Sequence, residues 1–464
     1  MKKLMVVFLL AISNLINAQN VLGDWNGALE VQGMQLRLVF HIMEDGENLK
    51  ATMDSPDQGA NGIPVDKVML DGKELTIEMP KMGIKYTSTV NEDGTEIDGT
   101  FNQGPMSLPL KMTRKKVAKK ELVRPQEPKK FDYQQEEVKF ENSKGGHHLA
   151  GTLTIPKSGD FETVVVLITG SGPQDRNEEL LGHKPFLVLS DHFTKQGIAV
   201  LRYDDRGVAK STGTFKGSTS RDFADDASAA VSFLKKRKDM AGKKIGLCGH
   251  SEGGMIAPIV ASENSNVDFI VLLAGPGIKI PELMKLQTDK ISEAEGVDEN
   301  MRKLNAVIIE NAFGFLHKNK GMEREDLRKG LTQILSDGFE SLPKAETEGE
   351  DKNKFMEGEL EMMLDDWFLY FMQFDPADYL SKVKCPVLAV NGELDLQVTS
   401  KENLEGIKSS LKKAGNKNVT IKEFKGLNHL FQETKTGAPS EYAKLEETFN
   451  EEAMKYVSDW ILGR

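Results

Sequence analysis

From about residue 136 onward the chain takes on one rhythm, in which short apolar runs suited to strands alternate with stretches of helical periodicity. The order is TVVVLIT, a helix around 185–196, IAVLRYD, a helix at 222–238, KIGLCG, a helix from 251, and FIVLLAG. Nearly continuous Val/Ile/Leu runs are the mark of strands buried on both faces, and parallel neighbours need a crossover, usually helical, to join them. The pattern predicts an α/β architecture with helices covering a parallel sheet. Between Lys279 and about Asp378 the alternation stops, and charged, Met-rich helical sequence predicts a cap over the edge of that sheet. It resumes with PVLAVNG and NVTIKEF, and a long amphipathic helix from about Ser440 to Leu462 is expected to close the chain.

The earlier part reads differently. From Gly23 to about Arg114, alternating runs such as QLRLVFHI and IKYTSTV are separated by turn signals, among them Asp45-Gly46, Asp71-Gly72 and Asp93-Gly94. This predicts about eight short strands in an all-β domain, with a closed barrel preferred over a sandwich. Such a barrel either holds a small ligand or is filled by its own side chains and serves as an interaction module. Residues 115–135, with a run of lysines plus Pro125 and Pro128, suit neither helix nor central strand and are expected to be a linker.

At 464 residues the chain exceeds what one hydrophobic core usually supports. The expected organisation is a leader at 1–18, an all-β barrel-like domain at 19–114, a linker at 115–135 and an α/β domain at 136–464 with its cap at about 279–378. The leader is read from Lys2 and Lys3, the apolar run Leu4–Ile12 and the small-residue end at Ala18, which is signal-peptide anatomy. The run is too short to span a bilayer, and Gln19 rather than Cys at the new terminus argues against a lipid anchor. The protein is therefore expected to be exported, to the periplasm or beyond the cell, with no membrane span after cleavage. A net charge of −11 argues against nucleic acid as a partner. The two cysteines, Cys248 and Cys385, lie beside apolar runs and are expected to be free, buried thiols.

The candidate chemistry centres on Gly249-His250-Ser251-Glu252-Gly253-Gly254, which follows the strand KIGLCG and precedes the helix-compatible MIAPIVAS. A G-x-S-x-G sequence between strand and helix puts its serine on a tight turn, where flanking glycines avoid collision and the hydroxyl is pushed out. Ser251 is thus the candidate nucleophile. A serine hydroxyl needs a base, and His429, in a loop just past the strand NVTIKEF, is the only histidine after residue 317. Asp395, in NGELD after the strand PVLAV, is the candidate orienting acid, with Glu393 as its competitor. The order Ser, Asp, His is that of α/β-hydrolases. Oxyanion stabilisation requires backbone N–H groups, and the candidates are those of Glu252 and of Ser171 in the loop TGSGPQDR, with Gly172 next.

The motifs GSGPQDRNE, LRYDDRGVAKSTG, CGHSEGG, LLAGPG, VNGELD and LNHLF together resemble bacterial serine esterases of the α/β-hydrolase superfamily, in a branch related to acylaminoacyl and dipeptidyl peptidases. The likeness covers about residues 136–464. It implies an eight-stranded, mostly parallel sheet with a helical cap, Ser251, Asp395 and His429 as triad, and Ser171 and Glu252 in the oxyanion hole. Thr169 stands where many relatives carry the His of an HG motif, a departure that touches the geometry of that loop. Arg176 and Arg206 are expected to brace loops. The implied activity is cleavage of short- to medium-chain acyl esters through an acyl-serine, with no metal or organic cofactor and a small-molecule ester as partner. An exopeptidase or amidase is the alternative within this chemistry, and a non-catalytic binding protein the alternative outside it. The Met- and aromatic-rich GELEMMLDDWFLYFMQFD suits an acyl pocket, though packing explains it more simply.

Overall fold

The computed structural model describes residues 21–31, 34–46, 48–104, 106–119, 123–347 and 351–464. The expected leader lies outside them, as do residues 120–122 of the expected linker. The chain divides into two compact units, Met1–Leu122 and Val123–Arg464.

The first unit is a meander of nine antiparallel strands: β1 (Gly23–Val31), β2 (Met34–Asp45), β3 (Asn48–Ser55), β4 (Ala60–Pro64), β5 (Lys67–Asp71), β6 (Glu74–Met79), β7 (Ile84–Val90), β8 (Glu96–Gln103) and β9 (Met106–Thr113). Strand order is β4-β3-β2-β1-β9-β8-β7-β6-β5, so the count is one higher than expected. The glycines of the three Asp-Gly turns have positive φ, as tight hairpin turns require. A fully laddered barrel is not what forms, because among the described residues no ladder joins β4 to β5. Instead the chain itself spans the seam: the Val65 N–H donates to Ala51 O next to β4, and the Asp66 N–H donates to Glu78 O of β6. Alternate residues point inward, and the interior is filled by Trp25, Leu29, Phe40, Tyr86 and Phe101, all nearly inaccessible. Phe40 and Tyr86 stack at 6.0 Å, and the Tyr86 hydroxyl donates to Leu110 O at 2.8 Å. The curled sheet holds its own side chains.

The second unit carries β10 (Gln134–Asn142), β11 (His147–Ile155), β12 (Thr163–Ile168), β13 (Ala199–Tyr203), β14 (Lys244–His250), β15 (Phe269–Leu273), β16 (Val387–Gly392) and β17 (Val419–Phe424). They form one sheet in the order β10-β11-β13-β12-β14-β15-β16-β17. The sheet is mixed rather than mostly parallel. β10 and β11 form an antiparallel hairpin, and β11 pairs antiparallel with β13, whereas the ladders from β13 to β17 are parallel. The reason is local: Ser143 to Gly146 join β10 to β11 in a short turn, and only the later strands have crossovers long enough for parallel pairing.

Burial on both faces explains the apolar runs. Along β12, Val164, Val166 and Ile168 enter one core with the helices Ser220–Lys236 and Glu252–Glu263, while Val165 and Leu167 enter another with Pro185–Lys195 and Glu451–Leu462. Each such side chain contributes about 1.5–3 kcal/mol when fully buried. Between β15 and β16 stand the helices Ile280–Ala294, Glu299–Lys318, Arg324–Ser341, Lys352–Met363 and Asp366–Met372. Among the described residues no helix is long and apolar enough to cross a membrane.

Two further expectations are corrected. The closing helix spans Glu451–Leu462 only, after a short helical turn at Pro439–Tyr442. Asn450 caps it by accepting from Glu452 N and Ala453 N, and just before it the Thr448 and Phe449 N–H groups donate to Gln126 Oε1 in a bend. Both cysteines are free, but only Cys248 is buried; Cys385, just before β16, is half-buried.

Candidate active site

β14 lies in the middle of the sheet and ends at His250, so the next residue turns sharply. Ser251 has φ 53° and ψ −117°, a strained conformation for a residue with a side chain. The turn is possible because its neighbours lack a Cβ: one on Gly249 would lie 2.0 Å from Gly253 O, and one on Gly253 would lie 2.1 Å from Ile168 O. The Ser251 N–H donates to Leu273 O of β15, which pins the turn to the sheet. Helix Glu252–Glu263 starts immediately afterwards. The Glu252 N–H therefore belongs to the first helical turn, whose donors have no partner within the helix.

The loop after β12 crosses the serine closely enough that a Cβ on Gly170 would stand 3.3 Å from Ser251 Cβ. Asp205, buried after β13, accepts from Thr169 Oγ1 at 2.9 Å and from Gln174 N at 3.0 Å, clamping the loop on both sides of Ser171. Burial, above all, pushes the Asp205 carboxyl well up from its usual range, although both hydrogen bonds act against it. Ser171 itself is exposed, and among the described residues its N–H has no acceptor. Arg176 braces the far side of the loop, with Nε and Nη2 on Asp204 at 2.9 and 2.8 Å. Arg206 does the same for its own loop, with Nε 2.6 Å from Asp226.

Asp395 and His429 meet across two strand-end loops. His429 Nδ1 lies 2.8 Å from Asp395 Oδ2, and Asp395 Oδ1 accepts from Gln397 N and Val398 N, each at 2.8 Å. Both residues are almost fully buried. Glu393 is exposed and takes only the Gly426 N–H, so it is Asp395 that faces the histidine. The histidine loop is shaped by buried Asn428, whose Oδ1 accepts from Leu430 N and Gln432 N. It crosses the end of β16 at Gly392, where a Cβ would lie 2.2 Å from Leu427 O.

No hydrogen bond joins the Ser251 hydroxyl to His429. The contact is made by the residue before the serine: His250 Nε2 lies 3.0 Å from His429 O, and its ring centroid is 4.9 Å from that of His429. On its other side, His250 Nδ1 lies 3.0 Å from Glu178 Oε1, which also accepts the Gly170 N–H at 2.7 Å. Neither Glu178 nor Asp205 was among the sequence candidates. A carboxylate five to ten residues beyond a glycine-rich loop, or just past a strand, was the only available signal, and both are common in any α/β chain.

The cap reaches the site through Trp367, whose Nε1 donates to the buried Glu252 Oε1 at 2.9 Å. Ser220 Oγ donates to the same oxygen at 2.5 Å. Burial raises the Glu252 carboxyl, and these two donors partly offset it. Most of the aromatic segment is packing, with Phe368, Phe371 and Met372 buried, and Trp367 stacks on Phe371 at 4.9 Å. The helices between β15 and β16 also form an open, mainly apolar pocket of ≈ 280 Å³ lined by Ile309, Phe313, Phe339 and Met363, among others. Among the described residues no group of three or more His, Cys, Asp or Glu side chains could hold a metal ion.

A family model described as serine aminopeptidase, S33, matches residues 185–333, a span that includes Ser251 and stops before Asp395 and His429. The chain is 29% identical over 297 residues to Esterase EstD of Thermotoga maritima, covering 64% of this chain and 61% of that protein. It is 24% identical over 260 residues to an uncharacterized 31.7 kDa protein of Escherichia coli, covering 54% of this chain and 79% of that one. Among solved structures, the Pyrococcus furiosus esterase Pf2001 gives a TM-score of 0.42 at 17% identity, covering 71% of this chain and 92% of that chain. Over the span that holds the serine turn, the chain is similar to a serine hydrolase family.

Proposed function

We propose that this chain is a serine hydrolase that cleaves short- to medium-chain carboxylic esters through an acyl-serine intermediate. The observation that carries the reading is the buried Asp395–His429 pair, whose histidine carbonyl meets His250, the residue before a serine on a strained strand-to-helix turn. In the reaction His429 takes the Ser251 proton as Oγ attacks the ester carbonyl, then returns it to the departing alcohol. Asp395 fixes the ring through Nδ1 and stabilises the imidazolium. The Ser171 and Glu252 N–H groups receive the oxyanion, each worth about 10²- to 10³-fold in rate on the precedent of such donors. Water then repeats the attack on the acyl-serine.

The test is reaction with a fluorophosphonate and hydrolysis of p-nitrophenyl acetate and butyrate. Both are expected in the wild-type chain, and Ser251→Ala is expected to lower kcat by roughly 10⁶-fold. Absence of labelling at Ser251 would leave a binding protein as the better reading. Aminoacyl anilides cleaved faster than these esters would move the assignment to the amidase alternative, which the name of the matching family model keeps in view. We further propose export with removal of residues 1–18, which sequencing the N-terminus of the secreted or periplasmic chain would check.

A further inference from the structure

Glu178 and His250 lie beside the triad without belonging to it, and their contacts form an unbroken chain. The Gly170 N–H donates to Glu178 Oε1, the same oxygen faces His250 Nδ1, and His250 Nε2 faces the carbonyl of His429. A carbonyl oxygen only accepts, so Nε2 carries a hydrogen. A carboxylate oxygen only accepts as well, so Nδ1 carries one too. An imidazole with both hydrogens is a cation, and here it is buried. Glu178 adopts φ 52°, uncommon for a residue with a Cβ, and its second oxygen is buried without a partner. That cost is tolerated where the first oxygen holds two donors.

We propose that Glu178 and His250 are an ion-paired positioning unit, fixing the loop that carries Ser171 and the loop that carries His429 in register over Ser251. The proposal rests on the serine-hydrolase reading. Its first link ends one residue before the Ser171 N–H, and its last on the backbone of the base itself. The charged and titratable groups facing His250 are Glu178, Asp395 and His429. Burial works against the His250 cation, but the Glu178 charge and hydrogen bond, the His429 carbonyl and the Asp395 charge outweigh it, and the net direction is up.

The test is the pH dependence of fluorophosphonate labelling and of p-nitrophenyl butyrate hydrolysis in wild type, His250→Gln, Glu178→Gln and the double variant. His250→Gln is expected to label about 10- to 100-fold more slowly, with kcat changed more than KM, because a displaced base loses its near-attack geometry. Its acidic limb is expected to move up, since the variant removes a positive charge from beside the His429 ring. Glu178→Gln keeps an oxygen for the Gly170 N–H and should slow labelling less. The double variant should be no slower than His250→Gln, because the two residues act as one unit. Wild-type rates and an unmoved limb in His250→Gln, or additive losses in the double variant, overturn the proposal. Should His250→Gln fail to fold, Glu178→Gln decides, and a wild-type rate there overturns it. An unlabelled wild-type chain defeats the hydrolase reading and the proposal with it, whereas a labelled wild type with indifferent variants defeats the positioning unit alone.

Discussion

Each unit of this protein contains an Asp–His pair of nearly the same length. In the β unit, His41 Nδ1 lies 2.7 Å from Asp24; in the sheet unit, His429 Nδ1 lies 2.8 Å from Asp395. Their surroundings differ in two ways. His41 and Asp24 are 31% and 61% exposed at the side chain, against 5% and 0% for His429 and Asp395. His41 also meets a second carboxylate, Asp54, 3.0 Å from Nε2, so each ring nitrogen faces a carboxylate oxygen. His429 has only one nitrogen on a carboxylate, and its carbonyl meets His250, the residue before the strained Ser251. Contact with an aspartate does not by itself make a histidine a base; under the proposed function, the second nitrogen of His429 and its exclusion from water set it apart from His41.

The comparison breaks most visibly at the acids. Asp395→Asn is expected to lower ester turnover by about 10⁴-fold with the fold intact, as loss of the orienting acid does in other triads. Asp24→Asn should leave turnover unchanged, and an equal loss in both variants would defeat the distinction. Next in size is Trp25→Ala. This ring fills the curled sheet, is covered by Arg114 at 3.6 Å and donates to Val21 O at 2.8 Å. Its truncation should cost about 3–5 kcal/mol in denaturant unfolding, the usual range for a buried aromatic. Trp367→Phe removes one of the two donors on buried Glu252 and should cost about 1–3 kcal/mol, the penalty of a buried acceptor left short of a partner.

The smallest effect belongs to His41. The Asp24 hydrogen bond, ahead of that from Asp54, raises its pKa above 6.5. A raised folded value means stability that is fully present below the unfolded pKa and is lost as pH rises through the folded one. His41→Gln should therefore flatten the stability profile just above pH 6.5, by less than about 1 kcal/mol because solvent screens the pair. A profile equally steep in both proteins would show that another group titrates there.

Much of the sheet unit was legible because its strands are buried on both faces, so Val164 to Ile168 reads as one apolar run whichever core each side chain enters. The hairpin of β10 and β11 was harder to see. β10 is exposed at alternate positions, so charged Glu136, Lys139 and Glu141 break up its run although Val138 and Phe140 are buried between them. The closing helix was drawn too long because amphipathic periodicity carries through Ala443 to Phe449, and nothing in that stretch announces that Gln126, more than three hundred residues earlier, hydrogen-bonds its backbone.

By itself the sequence determined the parts that local chemistry governs. The glycines around Ser251 permit one kind of turn, and the strands before Asp395 and His429 deliver both to the same end of a sheet. Only the tertiary structure decided which carboxylate faces His429, that Glu178 and Asp205 hold the loop over the serine, and that the cap touches Glu252 through Trp367. These depend on side chains far apart in the chain converging in a volume from which water is excluded. Distance along the sequence carries no record of that convergence.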